Sequence, residues 1–405
     1  MAANINSITP YLKEVYQGRI REQLNQDTKT LKRIMRSSSG VTNEVNGKYV
    51  TFPVHTRRNS GIGSRYENEA LPVPGQQGHA AARLALKYGY GGLQLSGPAI
   101  SLSDSDPKAF AKALDNEISN LKSDVQKDMN AQVYGDGTGS RAVVSVLGTA
   151  VNTITVGDAR LLQLGELVDV ITLPSTVAVT ARTITAIVLT TGVVTVSGAA
   201  FSTAVGQIVT RSGSGVGASG NREITGFGAI ATSTGTLYNI DPTVEPAWAA
   251  TVDANGGTLR ALSEARMILM ADNIRTQGGK TTVIFQSLGV RRAYFNLLSQ
   301  QRQVVNEQKF TGGFTGLAFT TDDGEIPVVA DVDAPLNKQY FMNEDALTFY
   351  RDEEWHWLDR DGSMWKQVRD TLGDYDAYYA RLVEYHELGT DRRNTHGLLS
   401  DITEG

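Results

Sequence analysis

Apolar residues recur at steps of four and three through Asp106–Gly135, at Phe110, Leu114, Ile118, Leu121, Val125, Met129 and Val133. That spacing puts them on one stripe of an α-helix and leaves the other faces to charged residues. Asp106 suits the cap, Pro107 the first helical position and Gly135 a left-handed residue just past the end. At 1.5 Å per residue such a helix runs about 40 Å, long for a globular domain. A second helical pattern covers residues 11–36 through Leu12, Tyr16, Ile20, Leu24, Leu31 and Ile34, with Pro10 at its start and Ser37–Gly40 at its end.

Between the two helices the period changes. Residues 47–95 predict a two-stranded excursion, with GKYVTFPVH going out and ARLALKYGYGGLQLS returning in period-two alternation. The connecting RRNSGIGSRYENEALPVPGQQGHAA is rich in Gly, Pro and charge and reads as poor in apolar residues. Such a tip has little of its own to bury against its ordering entropy, so it is expected to be mobile or to gain order on another molecule. Arg57, Arg58 and Arg65, with Glu67 and Glu69, suit pairing between copies, each exposed pair being weak.

Beyond the long helix, residues 141–225 are short Val/Thr/Ile-rich runs with glycine turns and few charges. They predict a β-rich unit of about 80 residues, a small barrel or sandwich folding on its own. GSGVGASGN at its end reads as a flexible linker. From residue 257 the pattern becomes α/β. Thr258 is expected to cap a helix carrying Leu259, Leu262, Leu269 and Ile274, and TTVIFQS to form a buried strand. Ser287 is expected to cap a helix with Val290, Tyr294, Leu297 and Leu298, with EIPVVADVD as the next strand. The last segment, with three of the four tryptophans, reads as long strands joined by Asp-Gly-type turns.

Composition narrows the chemistry. The 405 residues carry a formal net charge of −5 and no cysteine, which rules out disulfides, thiolate metal sites and a cysteine nucleophile. Near-balanced charge disfavours a dedicated nucleic-acid binder. The first helical segment is an exception: Lys13, Arg19, Arg21, Lys29, Lys32, Arg33 and Arg36 outnumber Glu14, Glu22 and Asp27. This is a solvated face, or an arm lying on nucleic acid or a neighbouring subunit. No signal-peptide pattern opens the chain, and no run of about 18 apolar residues predicts a membrane span.

Candidate catalytic and ligand motifs fail on spacing. GGKTT at 278–282 resembles the tail of a phosphate-binding loop, but the first glycine would fall at Ile274, within a helical pattern. His55, His79, His356, His386 and His396 show no zinc-binding spacing. Asp322, Asp323, Glu325, Asp331 and Asp333 lack the EF-hand pattern and read as solvated loop charges. No nucleophile elbow accompanies a histidine and an acid in order. Neither catalysis, a metal nor a cofactor is expected.

The order of elements carries a resemblance. A basic arm, a long charged hairpin, a long capped helix, an inserted β unit, an α/β region and terminal strands together resemble the major capsid proteins of tailed double-stranded DNA bacteriophages with the HK97-type fold. IFQSLGVRRAYFNLLSQQRQVVNEQKFTGGFTGLAF, EIPVVADVDAP and NEDALTFYR are similar to that family's axial domain. The resemblance implies an α+β fold laid out as follows: N-terminal arm 1–46, E-loop 47–98, peripheral domain with its spine helix 99–140, inserted β-rich domain 141–228, axial domain 229–345 and terminal strands 346–405. It implies self-assembly as hexamers and pentamers into an icosahedral shell around double-stranded DNA, located in the virion and made in the host cytoplasm. The E-loop tip (Arg57, Arg58, Arg65, Glu67, Glu69) would touch a neighbour's spine helix. The arm (Arg19, Arg21, Lys29, Lys32, Arg33, Arg36) would face the DNA without sequence preference. Phe110, Leu114, Ile118, Leu121, Val125 and Met129 would pack the spine helix. Scaffolding, portal and decoration proteins are implied partners, and a membrane is not; no long scaffolding helix precedes the arm, so scaffolding is expected as a separate protein or already cleaved off. One departure matters: some members cross-link an E-loop lysine to a neighbour's asparagine, whereas here Lys48 and Lys87 sit near the base and arginines hold the tip. A non-covalent shell is expected. An encapsulin-like compartment shares the fold, and a phage structural protein carrying a β-type binding module is the other alternative.

Overall fold

The computed structural model describes residues 27–36, 41–42, 49–98, 107–217, 220–302, 318–321, 324–359, 362–370 and 373–405. The helix expected over 11–36 is therefore seen only as α1 (Lys29–Met35), with residues 11–26 outside the described part. Strand β1 (Val41–Thr42), the hairpin β2 (Val50–Arg57) and β3 (Gly78–Leu84), and β4 (Lys87–Ser96) follow. The long helix α2 spans Pro107–Val133. Eight strands come next: β5 (Ser140–Val143), β6 (Gly148–Val151), β7 (Thr153–Thr155), β8 (Leu167–Thr172), β9 (Thr176–Val188), β10 (Val193–Val196), β11 (Phe201–Thr203) and β12 (Ile208–Arg211). The α/β part holds β13 (Thr251–Asp253), α3 (Glu264–Thr276), β14 (Val283–Gln286), α4 (Leu288–Arg302), β15 (Ala318–Thr321), β16 (Gly324–Ala330) and β17 (Gln339–Met342). Last come β18 (Leu347–Arg351), β19 (His356–Trp357), β20 (Lys366–Asp370), β21 (Gly373–Thr390) and β22 (Gly397–Leu399).

Strand β21 organises one sheet. It pairs antiparallel with β4 from Ala377↔Ser96 to His386↔Lys87, and with β18, β19 and β20 at successive stretches of its length. Helix α2 lies over β4, where Gly91 leaves room: a Cβ there would meet Val125 at 3.0 Å and Leu121 at 3.3 Å. Along the stripe, Met129 and Val133 are buried, Ile118, Leu121 and Val125 are half-buried, and the side chains of Phe110 and Leu114 lie outside the described residues. The helix end differs from expectation. Gly135 is not left-handed; the last turn closes through Gly135 N–H to Gln132 O (2.9 Å), and the left-handed glycines are Gly137 and Gly139. Gly226 presses onto the helix end, since a Cβ there would stand 2.2 Å from Val133 O.

Strands β5-β12-β8-β9-β10-β7 form a second sheet, and a bridge between Val144 and Val156 joins its first strand to its last. The sheet thus closes as a small barrel around Val144, Ile154, Val168, Val170, Ile184, Val194 and Val209, a core of its own. β-Branched residues fill it because they pack well on a pleated surface. The third sheet, β13-β22-β17-β14-β16-β15, mixes parallel and antiparallel pairs. In β14, Ile284 faces the core shared with α3 and α4, while Val283 and Phe285 face the main core with Tyr134, Phe227 and Trp248. Both faces are covered, so the run is continuously apolar.

Helix boundaries in this part were legible only in part. Ser287 caps α4, its Oγ accepting from Val290 N–H at 3.1 Å. The preceding helix starts later than expected: Ser263 caps α3, so Leu259 and Leu262 lie outside it and Leu269 is exposed. GGKTT follows the C-terminus of α3, where carbonyls rather than amides point outward, the wrong end of a helix for phosphate.

Candidate assembly surfaces

The hairpin β2–β3 pairs from Val50↔Leu84 to His55↔His79 and, past a bulge, at Arg57↔Gly78. At its base Val50, Phe52 and Val54 pack against the main core. Past Arg57 the chain leaves the body, and the tip presents Ile62, Tyr66, Leu71 and Val73, each more than 80% exposed. The tip is poor in large apolar residues, as the sequence reads, but the few it has face outward together with Pro74. The tip is ordered by its own polar contacts. Arg65 donates to Ala70 O (3.1 Å) and Ser64 O (3.0 Å), and Glu69 accepts from Tyr66 N–H (3.1 Å). Gly61 and Gly75 let the two legs meet, since a Cβ on Gly61 would lie 2.6 Å from Gly75 N. Arg57 pairs with Glu245 of its own chain at 3.2 Å. Of the five charged residues expected to pair between copies, Arg57, Arg65 and Glu69 are engaged within this chain; Arg58 and Glu67 are exposed.

Helix α1 divides cleanly. Thr30, Leu31 and Ile34 are buried, while Lys29, Lys32, Arg33 and Arg36, with Val329 and Glu344, line a cleft of about 540 Å³. Arg33 grips Glu344 with two nitrogens (2.5 and 3.0 Å), and Lys29 pairs with Asp27 at 2.8 Å. Lys32 and Arg36 project outward. Arg19 and Arg21 lie outside the described residues.

Two buried polar clusters fix the elements that carry these surfaces. In the first, Thr30 Oγ1 and Asn130 Nδ2 donate to Asp331 (2.6 and 3.2 Å), and Asn130 also donates to Asp333 (2.6 Å). Lys127 meets Asp333 at 2.7 Å, and Asn130 Oδ1 accepts from Leu31 N–H. Burial and the neighbouring Asp331 push the Tyr134 phenol well above its usual range. Burial likewise raises the Asp333 carboxyl against the pull of Lys127. Asp331 and Asp333 are therefore not solvated loop charges, because α1 and α2 close over them. In the second cluster, Asp128 of α2 meets Arg141 (2.6 Å) and Arg211 (2.8 Å), the first and last charged residues of the barrel. Arg141 also meets Glu223 at 3.0 Å, and Arg211 meets Glu166 at 2.7 Å. Burial alone would raise the Asp128 carboxyl, but the two arginines hold it below the usual range. Sequence reasoning missed Asn130 and Asp128; the only signal was polar residues next to the helix stripe. Among the described residues no three metal-ligating side chains converge.

The model of the SU10 major capsid protein family matches residues 201–403, half of the chain. The chain belongs to that family. It is a phage major capsid protein, and its α+β architecture is the HK97-like capsid fold. The capsid protein is similar over 99% of its length to all of a chain in the cyanophage A-1(L) capsid asymmetric unit, with 17% identity and a TM-score of 0.65. It also aligns over the full length of both chains with the capsid of a native GTA particle (11% identity, TM-score 0.51) and with Mycobacterium phage Bobi (9%, 0.50). At these identities the likeness shows the fold. No curated protein matches the chain. Copies of the capsid protein assemble into the shell of a virion, and neither the compartment nor the binding-module alternative is favoured.

Proposed function

We propose that copies of this chain close as hexamers and pentamers into an icosahedral shell around double-stranded DNA, acting structurally and without catalysis. In this reading residues 1–46 form the arm and 47–98 the E-loop, 99–140 carry the spine helix, 141–228 are the inserted domain, 229–345 the axial domain and 346–405 the returning strands. The observation that supports it most is the hairpin tip: four large apolar side chains stand out from the body on an internally ordered loop. A monomer gains nothing from that exposure, whereas a neighbouring copy that covers them gains apolar burial at each of many equivalent contacts. The contact is thus apolar at its centre, with Arg58 and Glu67 at its rim. The outward cations Lys32 and Arg36 suit sequence-independent phosphate contact on the DNA side. Scaffolding, portal and decoration proteins are partners in this scheme, and synthesis is in the host cytoplasm.

The test is electron microscopy of wild-type material beside Leu71→Asp/Val73→Asp. Wild type is expected to form closed shells. The variant is expected to keep its melting temperature as a soluble chain and to lose assembly. Normal shells from the variant would sink the assignment of the tip to an inter-subunit contact.

A further inference from the structure

Along the chain His55 and His79 are separated by the whole hairpin tip, but strand pairing sets them directly opposite each other, on the exposed face of the β2–β3 ribbon. Side chains opposite each other in an antiparallel pair stand within contact reach. Here the two ring centres are 5.1 Å apart, with the planes inclined at 43°. That separation is the one a shared metal requires. A metal about 2.1 Å from a ring nitrogen stands about 3.2 Å from that ring's centre, so two imidazoles at a tetrahedral angle have centres about 5.2 Å apart. The relation holds whichever nitrogen of each ring is the ligand.

The surroundings suit a ligand pair. His55 Nε2–H donates to Gln77 Oε1 at 2.7 Å, which leaves the lone pair of the neutral ring on Nδ1. Ligating histidines are commonly oriented in this way, the other ring nitrogen donating to a carbonyl or carboxylate oxygen. The next pair on the same face, Pro53↔Ala81, is small and leaves the rings uncovered. Arg57 is drawn to Glu245 (3.2 Å), and Arg83 lies beyond Pro53 and Ala81, opposite Thr51. Among the described residues no third His, Cys, Asp or Glu joins the pair, so the shell is two protein nitrogens completed by water.

We infer that His55 and His79 chelate one divalent transition-metal ion, and that the ion ties β2 to β3. Imidazole nitrogens select the zinc, copper and nickel class, whereas calcium and magnesium take oxygen ligands. The ribbon is where such a tie has an effect. β2 and β3 form a sheet of two strands, an arrangement only marginally stable away from packing, and the apolar anchors lie at its base. An ion that binds only the paired legs therefore holds them together beyond the reach of that base. The inference concerns a single chain and does not depend on how copies assemble.

The test uses the full-length chain without an affinity tag, stripped with EDTA and titrated with Cu2+ and with Zn2+ by calorimetry at pH 7.5. One ion per chain is expected for each metal, Cu2+ binding more tightly. Affinity should fall at pH 5.5, where protons compete for the same nitrogens. His55→Gln and His79→Gln should each weaken binding by about 10-fold or more. His356→Gln is the control, an exposed histidine whose Nδ1 lies 3.6 Å from Glu353, and should bind as wild type does. Hydrogen exchange reads the tie itself: saturating Zn2+ should slow the amides of β2 and β3 in wild type and in neither hairpin variant. Absence of a saturable site, a site that survives both hairpin substitutions, or binding that leaves exchange unchanged would each overturn the inference while leaving the shell reading standing.

Discussion

Glu387 shows how far one residue's chemistry depends on its neighbours. It lies in β21, buried, its Oε1 accepting from Thr225 N–H (2.5 Å) and Leu388 N–H (3.1 Å), with Lys87 4.0 Å away. Burial pushes its carboxyl up to about 8, against the opposing pull of Lys87 and the two amides. The folded chain therefore holds a proton that the unfolded chain releases near 4.5. This raised value favours the fold fully below the unfolded value and loses its contribution as pH rises toward 8, at about 1.4 kcal/mol per pH unit in between. Glu387→Gln keeps both accepting contacts and removes the titration. Its melting temperature should fall less than that of wild type between pH 5 and 9; parallel curves would refute the assignment. Asn130 is the second case, bonding Leu31 N–H, Asp331 and Asp333 at once. Asn130→Ala leaves those buried groups short of partners and should cost about 2–4 kcal/mol in denaturant unfolding. From the sequence, Asn130 was one more polar residue in a helix, and its partners lie some 100 and 200 positions away along the chain.

At the scale of elements, periodicity did most of the work where one face meets one neighbour. The α2 stripe and the alternation of β4 were legible, and their meeting makes two adjacent glycines unlike. Gly91 faces α2, while a Cβ on Gly92 would meet nothing within 4 Å. Gly91→Val should lose about 1–3 kcal/mol through overpacking against Leu121 and Val125. Gly92→Val should be neutral or gain a few tenths of a kcal/mol from strand preference. Equal losses in thermal melts would place α2 elsewhere. Boundaries were less legible. Thr258 and Ser263 are both acceptable caps, and only the packing of Met267, Met270 and Ile274 beneath α3 decides for the second.

For the whole molecule, the order of elements carried the family, and lysine placement carries a further expectation. The tip holds no lysine, and Lys87 is turned inward, donating to Asn221 O at 3.0 Å. Purified particles boiled in SDS should therefore run as a single monomer band; a ladder of covalent multimers would refute a non-covalent shell. The number of the hairpin's charges was visible in the sequence, but whether each faces its own chain or a neighbour depends on where the loop folds back.

The sequence by itself determined what is local or periodic: the long helix, the β-rich unit with its few charges, the capped α4 and the twice-buried β14. Those features follow from propensities and spacings within a few residues. Only the tertiary structure decided which charges are buried and whom they bond. It made Asp331 and Asp333 a joint between α1 and α2, gave Arg57 and Arg65 partners in their own chain, and tied Arg141, Arg211 and Glu166 of the barrel to Asp128. Burial is a property of what the rest of the chain lays over a residue, and no local pattern encodes that.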